Sequence, residues 1–173
     1  SVVKDWAGAG ATMALAFPDL YEIGMSHLGT RLLYEAINNH SPHLCERVFM
    51  PQDDMAAALR RNGLPLYSLE TRHALSCFDV VGFTLQYELS YTNILFMLDL
   101  AGIPLTTAER GAMDPLVVAG GPCAYNPEPL SEIIDLFLIG EGEDLDRELL
   151  DLVAEVKRTG GGRQEILRRA VTI

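Results

Sequence analysis

Short β-type runs alternate with longer segments whose apolar residues recur at helical spacing, and no other feature of the chain restricts its fold as much. "TMALAF" (12–17), "CERVFM" (45–50), "DVVGFTL" (79–85), "LVVAGG" (116–121) and "LFLIG" (136–140) read as strands. The third is β-branched and lacks polar alternation, as a strand covered on both faces should. "PLYSL" (65–69) reads as a weaker strand. Helices are expected after Ser26 as N-cap, over Asp53 to Asn62 with Gly63 as a left-handed C-cap, and over Leu89 to Leu100 with Gly102 closing it. A short helix is expected from Pro127 or Pro129, and a long one from the "GEGED" turn to about Arg158. In that last helix Leu145, Leu149, Leu150, Leu152, Val153 and Val156 form an apolar face opposite Asp and Glu. Alternating strands and helices imply right-handed crossovers, hence an α/β fold with a doubly wound, mostly parallel sheet and helices on both faces. At 173 residues, 49% of them hydrophobic, the chain suits one domain, residues 1–158. "TGGGR" then reads as a hinge and the remainder of 159–173 as a tail helix.

The formal charge of -11 would repel a phosphate backbone, so no nucleic-acid partner is expected. The longest apolar run, "ILFMLDLAGIPL", is too short to cross a bilayer and is broken by Asp99; with no leader pattern at the start, a cytoplasmic location without membrane contact is expected. Cys45, Cys77 and Cys123 are far apart and contain no Cys-x-x-Cys pair, which fits buried thiols better than a disulfide, zinc or iron-sulfur site.

Ligands of open parallel sheets bind beyond the carboxyl ends of the strands, where strand order reverses. Four loops matter on that rule: 18–27, 86–93, 120–129 and 140–144. The last is a Gly-x-Gly turn guarded by Glu141, Glu143 and Asp144, which oppose a pyrophosphate at the helix end that would otherwise attract it. A dinucleotide site also needs a third glycine and the first strand, and has neither here. A magnesium-dependent phosphoacceptor site needs clustered aspartates, whereas Asp19 is followed by Thr84 and Gln86 at the later strand end. No Gly-x-Ser-x-Gly elbow is present. Tyr21, Tyr87 and Tyr91, with Glu22 and Glu88, suit a pocket wall or a covered surface better than catalysis. His40, His43 and His73 are expected on the surface.

"LAFPDLYEIGMSHLGTRLLYEAI", "FDVVGFTLQYELSYTNIL", "VVAGGPCAYNPEPL" and "DLFLIGEGEDL" follow one another in an order that resembles the amino-terminal, cobalamin-binding-like domain of radical S-adenosylmethionine (SAM) proteins. More narrowly, the first segment looks like a subgroup only distantly related to true cobalamin binders. The resemblance implies a Rossmann-like or flavodoxin-like fold of the cobalamin-binding-domain type. It implies cobalamin as the candidate cofactor, touched by Pro18, Tyr21, Gly24 and His27 after the first strand, and by Thr84 and Gln86 after the third. Gly120, Gly121 and Pro122 would approach it from the Gly-Gly-Pro turn, and Gly140, Glu141, Gly142 and Glu143 from the last. Ribose hydroxyls and carboxamides are donors that carboxylates can accept, while the glycines let backbone come close. His27 is the candidate axial cobalt ligand, although Met25 and Thr30 stand where an Asp-x-His-x-x-Gly loop has its Asp and Gly. The same acidic residues also suit a helix first turn without any ligand. A Cys-x-x-x-Cys-x-x-Cys signature is absent, so SAM and a 4Fe-4S cluster are expected only in a separate downstream catalytic domain, the partner of this one. The expected role is a non-catalytic accessory domain, either binding cobalamin or only packing on its catalytic partner. An exposed apolar patch around the four loops is expected in either case.

Overall fold

The computed structural model describes residues 4–172. Five parallel strands, β1 (Thr12–Phe17), β2 (Leu44–Phe49), β3 (Val80–Thr84), β4 (Leu116–Gly120) and β5 (Leu136–Leu138), form one sheet in the order β2-β1-β3-β4-β5. That order is flavodoxin-like, and strand order reverses between β1 and β3. The helices are α1 (Tyr21–Gly24), α2 (Leu28–His40), α3 (Asp53–Asn62), α4 (Tyr91–Ala101), α5 (Gly142–Thr159) and α6 (Arg163–Ala170).

Side chains alternate between the two faces of the sheet, and each face has its own core. Met13, Leu15, Val80 and Val118 pack against Tyr34 and Ile37 of α2, Leu149, Leu150 and Val153 of α5, and Ile166 of α6. Ala14, Ala16, Val81, Phe83 and Val117 pack against Ala56 and Leu59 of α3 and Ile94, Met97 and Leu98 of α4. Burial on both faces explains why β1, β3 and β4 carry so little polar alternation, whereas the edge strand β2 buries Glu46 and Arg47.

Two motif aspartates secure the amino-terminal ends of the strands. Asp79 accepts the Thr12 N–H at 2.8 Å and pairs with Lys157 at 2.7 Å, tying β1 to the start of β3. Asp135 accepts the Val117 N–H at 2.8 Å and pairs with Arg110 at 3.1 Å and Arg163 at 2.5 Å. Because these residues precede their strands, they lie at the pole opposite the strand-end loops.

Several expectations are corrected. "PLYSL" is not a strand; apart from one isolated bridge, Tyr67 with Ala74, the segment runs outside β2 as a cover. There the Leu69 N–H donates to the Arg47 carbonyl at 2.8 Å, Glu70 accepts the Arg47 N–H at 2.8 Å, and the Asn38 carboxamide pairs with both backbone groups of Cys45. Pro-rich 122–130 makes two 3-10 turns, Pro122–Tyr125 and Glu128–Leu130, in place of an α-helix. Ser26 bonds to the Glu22 carbonyl, and His27 caps α2 instead. His43 is buried against Asp151 at 3.0 Å. Of the three free thiols only Cys45 is fully buried, while Cys77 is exposed. Gly63 and Gly102 are left-handed C-caps, as their positions after α3 and α4 require. The 160–162 glycine stretch leads into α6, which is docked through Ile166. Among the described residues no helix is long and apolar enough to cross a membrane.

Candidate functional site

The carboxyl ends of β1, β3, β4 and β5 and the amino-terminal turns of α2 and α5 enclose a cleft of about 220 Å³. It lies on the α2/α5 face, beside the point of strand reversal. Met13, Leu15, Val118 and Leu138 make its apolar back wall, Leu33 closes it from α2, and Gly120, Gly121, Gly140 and Gly142 form its rim. Space exists here because side chains are missing. A Cβ on Gly142 would come 3.1 Å from Leu33, and one on Gly82 would strike the Met13 methyl. Gly121 is required for a second reason: its φ is 105°, and a Cβ would lie 2.9 Å from the Leu85 carbonyl oxygen.

Thr84 is the polar group at the end of β3. It shares a face with Val80 and Gly82, so its side chain joins the cleft wall; it is 6% exposed, and its Oγ1 has no hydrogen-bond partner. A buried hydroxyl without a partner costs on the order of 1–3 kcal/mol. Opposite, α5 contributes exposed Glu143 and buried Asp146. Burial foremost, and Glu143 second, push the Asp146 carboxyl up to about 7. Among the described residues no Lys or Arg lines the cleft, so its interior favours donors over anions.

His27 also lines the cleft, as the N-cap of α2. Its Nδ1 accepts the Thr30 N–H at 3.2 Å. The neutral ring therefore carries its proton on Nε2, which then offers a donor and not the lone pair that cobalt would need.

Of the residues that sequence assigns to a ligand, His27, Thr84, Gln86, Gly120, Gly121, Gly140, Gly142 and Glu143 meet at this cleft. Pro18, Tyr21, Gly24, Pro122 and Glu141 lie outside it. The Pro18 carbonyl accepts from Asn93 at 2.9 Å, and Tyr21 packs edge-on against Phe49 beside a second, open apolar groove at the end of β2. Gly24 is wedged against Phe49 and Phe17, Pro122 opens a 3-10 turn, and Glu141 is an exposed N-cap residue without a side-chain cap bond. Asp146 is the residue that sequence reasoning missed. Its signal was present: it falls three and four residues before Leu149 and Leu150, inside the buried stripe of α5 and not on the solvent face.

At the strand-end pole, large apolar side chains face solvent from all four loops. Tyr21, Ile23 and Leu28 follow β1, Leu89 (87% exposed) follows β3, Tyr125 follows β4 and Ile139 follows β5. The Tyr87 hydroxyl donates to Asp19, joining the first two loops.

A family model described as radical SAM proteins, N-terminal, matches residues 29–173. An uncharacterized protein of Methanocaldococcus jannaschii is 26% identical over 135 residues, which cover 78% of this chain and 24% of the relative. The chain thus spans about a quarter of the length of the curated relative it matches. No solved structure matches it.

Proposed function

Since the chain belongs to the family of N-terminal domains of radical SAM proteins, we propose that it is the non-catalytic accessory domain of a radical SAM enzyme and that its strand-end cleft binds cobalamin. The observation that carries this reading is the orphaned Thr84 hydroxyl in a glycine-rimmed cleft at the strand-order reversal. The cleft fits part of the cofactor. At about 220 Å³ it is smaller than the roughly 300–1,000 Å³ of pockets that engulf a drug-sized ligand, so it would suit the uncharged ribose and base of the nucleotide tail and not the whole cofactor. Ribose hydroxyls and peripheral carboxamides can donate to Glu143, Asp146 and the carbonyls of the glycine turns. When bound, cobalamin supplies a cobalt centre able to carry an alkyl group.

SAM and a 4Fe-4S cluster belong, on this reading, to a downstream catalytic domain, because Cys45, Cys77 and Cys123 are dispersed over the fold. A cytoplasmic setting, where thiols stay reduced, suits these unpaired cysteines.

A second reading has its own support. Leu28, Leu89, Tyr125 and Ile139 are exposed on the loops that follow β1, β3, β4 and β5, and a domain that only packs on its catalytic partner would present such a surface. Incubation with hydroxocobalamin, desalting and a visible spectrum separate the two. Stoichiometric corrinoid absorption that Thr84→Val diminishes supports the cobalamin reading. Its absence from the wild-type protein leaves the packing role.

A further inference from the structure

Carboxyl groups buried elsewhere in this domain are compensated. Glu46 accepts from Ser68 at 2.5 Å and from Thr71 at 2.7 Å. Glu70 pairs with Arg47 at 2.8 Å, and Asp135 pairs with two arginines. Asp146 differs. It is 5% exposed, borders the cleft, and makes no hydrogen bond or ion pair with any described residue. An ionisable group held that way costs stability, and nothing in the packing of α5 needs it: Leu149, Leu150, Val153 and Val156 already fill the stripe. Across the same cleft, Thr84 Oγ1 is also buried and unpartnered. Two separate elements, β3 and α5, thus bring polar groups without a protein partner to one largely apolar cavity in which no described residue supplies a cationic side chain.

We propose that Asp146 is a ligand-binding residue which, together with Thr84 Oγ1, receives hydrogen bonds from neighbouring donors of an uncharged or cationic group, such as ribose hydroxyls or a carboxamide, and keeps anionic groups out of the inner cleft. The inference rests on the reading of the cleft as a ligand site and adds which part of a ligand enters it. Above about pH 7, where Asp146 is ionised, a phosphate placed beside it and Glu143 would meet repulsion with no Lys or Arg among the lining residues to offset it. A sugar or amide edge, in contrast, brings donors that both Asp146 and the Thr84 hydroxyl can accept.

The test uses hydroxocobalamin as the first probe, with the wild-type chain, Asp146→Asn and Asp146→Leu. Leucine should weaken retention at least ten-fold, and asparagine, which keeps a carbonyl acceptor, should fall between the two. Both variants lose a buried unpaired carboxyl and should melt no lower than wild type, which checks their folding. Undiminished retention by Asp146→Leu overturns the inference while leaving the cobalamin reading in place. Should the wild-type chain retain no corrinoid, that reading falls, and adenosine compared with adenosine 5′-monophosphate in thermal melts decides the inference. A rise in Tm that is larger with adenosine and vanishes in Asp146→Leu supports it. An equal or larger response to the monophosphate, or no response to either, overturns it.

Discussion

Arg163, the first residue of α6, holds its Nη2 2.5 Å from an Asp135 carboxylate oxygen, and both side chains are almost wholly buried. Arg110 reaches the same carboxylate, and the Arg163 Nη1 also donates to the Pro115 carbonyl at 2.9 Å. Removing the shared partner strands two buried cations. Asp135→Ala should therefore cost about 3–5 kcal/mol in urea unfolding and accelerate amide exchange over residues 163–170. Lys157→Ala, which breaks a half-exposed pair with Asp79, should cost less than about 1 kcal/mol. Equal losses in the two variants would contradict this account of how α6 is docked.

Stability should depend on the ionisation of Asp146. Its carboxyl is raised from an ordinary 3.8 to about 7, first by burial and then by Glu143, with the buried Cys45 thiol also close enough to feel its charge. Between those two values the folded chain holds a proton that the unfolded chain has released. Stability contributed at this position therefore falls as pH rises from about 4 to about 7 and stays low above. Asp146→Asn should flatten that slope and gain up to about 4 kcal/mol at pH 8. Parallel stability-pH curves for the two proteins would show that the carboxyl is not desolvated.

Gly121 tests the geometry of the rim. Its φ of 105° and the 2.9 Å separation between an added Cβ and the Leu85 carbonyl oxygen leave no place for alanine. Gly121→Ala should destabilise by about 1–3 kcal/mol and widen the turn that borders Thr84. Gly63→Ala, whose Cβ would meet nothing within 4 Å, carries only the left-handed backbone cost and should melt higher than Gly121→Ala.

The imidazole of His27 should matter to α2 more than to cobalt. Replacing it by alanine removes the acceptor for the Thr30 N–H and should cost about 1 kcal/mol. The visible bands of any retained corrinoid should not move. A spectral shift in His27→Ala would identify the ring as an axial ligand and require the opposite tautomer.

The central strands β3 and β4 were legible because burial on both faces leaves a continuous apolar run, which β-branched Val80, Val81, Val117 and Val118 reinforce. "PLYSL" is only partly apolar and has no β-branched residue, and at the outer side of β2 the Glu70 carboxylate and the Asn38 carboxamide take the place of a sixth strand. Convergence of the glycine turns followed from the rule for parallel sheets. Sequence grouped Asp135 with the "GEGE" turn, but β5 lies between them and carries them to opposite poles. Asp146 was hidden by counting the acidic residues of α5 as one solvent face, although its spacing to Leu149 and Leu150 set it apart.

Two outward-facing positions on the outer flank of β2 are already taken. At Cys45 both main-chain groups are held by Asn38, and at Arg47 they are held by Glu70 and Leu69. An incoming strand from a second molecule would have to displace side chains already fastened in place before it gained its first ladder bond. The domain is thereby guarded along this border against growing into shared sheets, the route by which exposed strands seed aggregates.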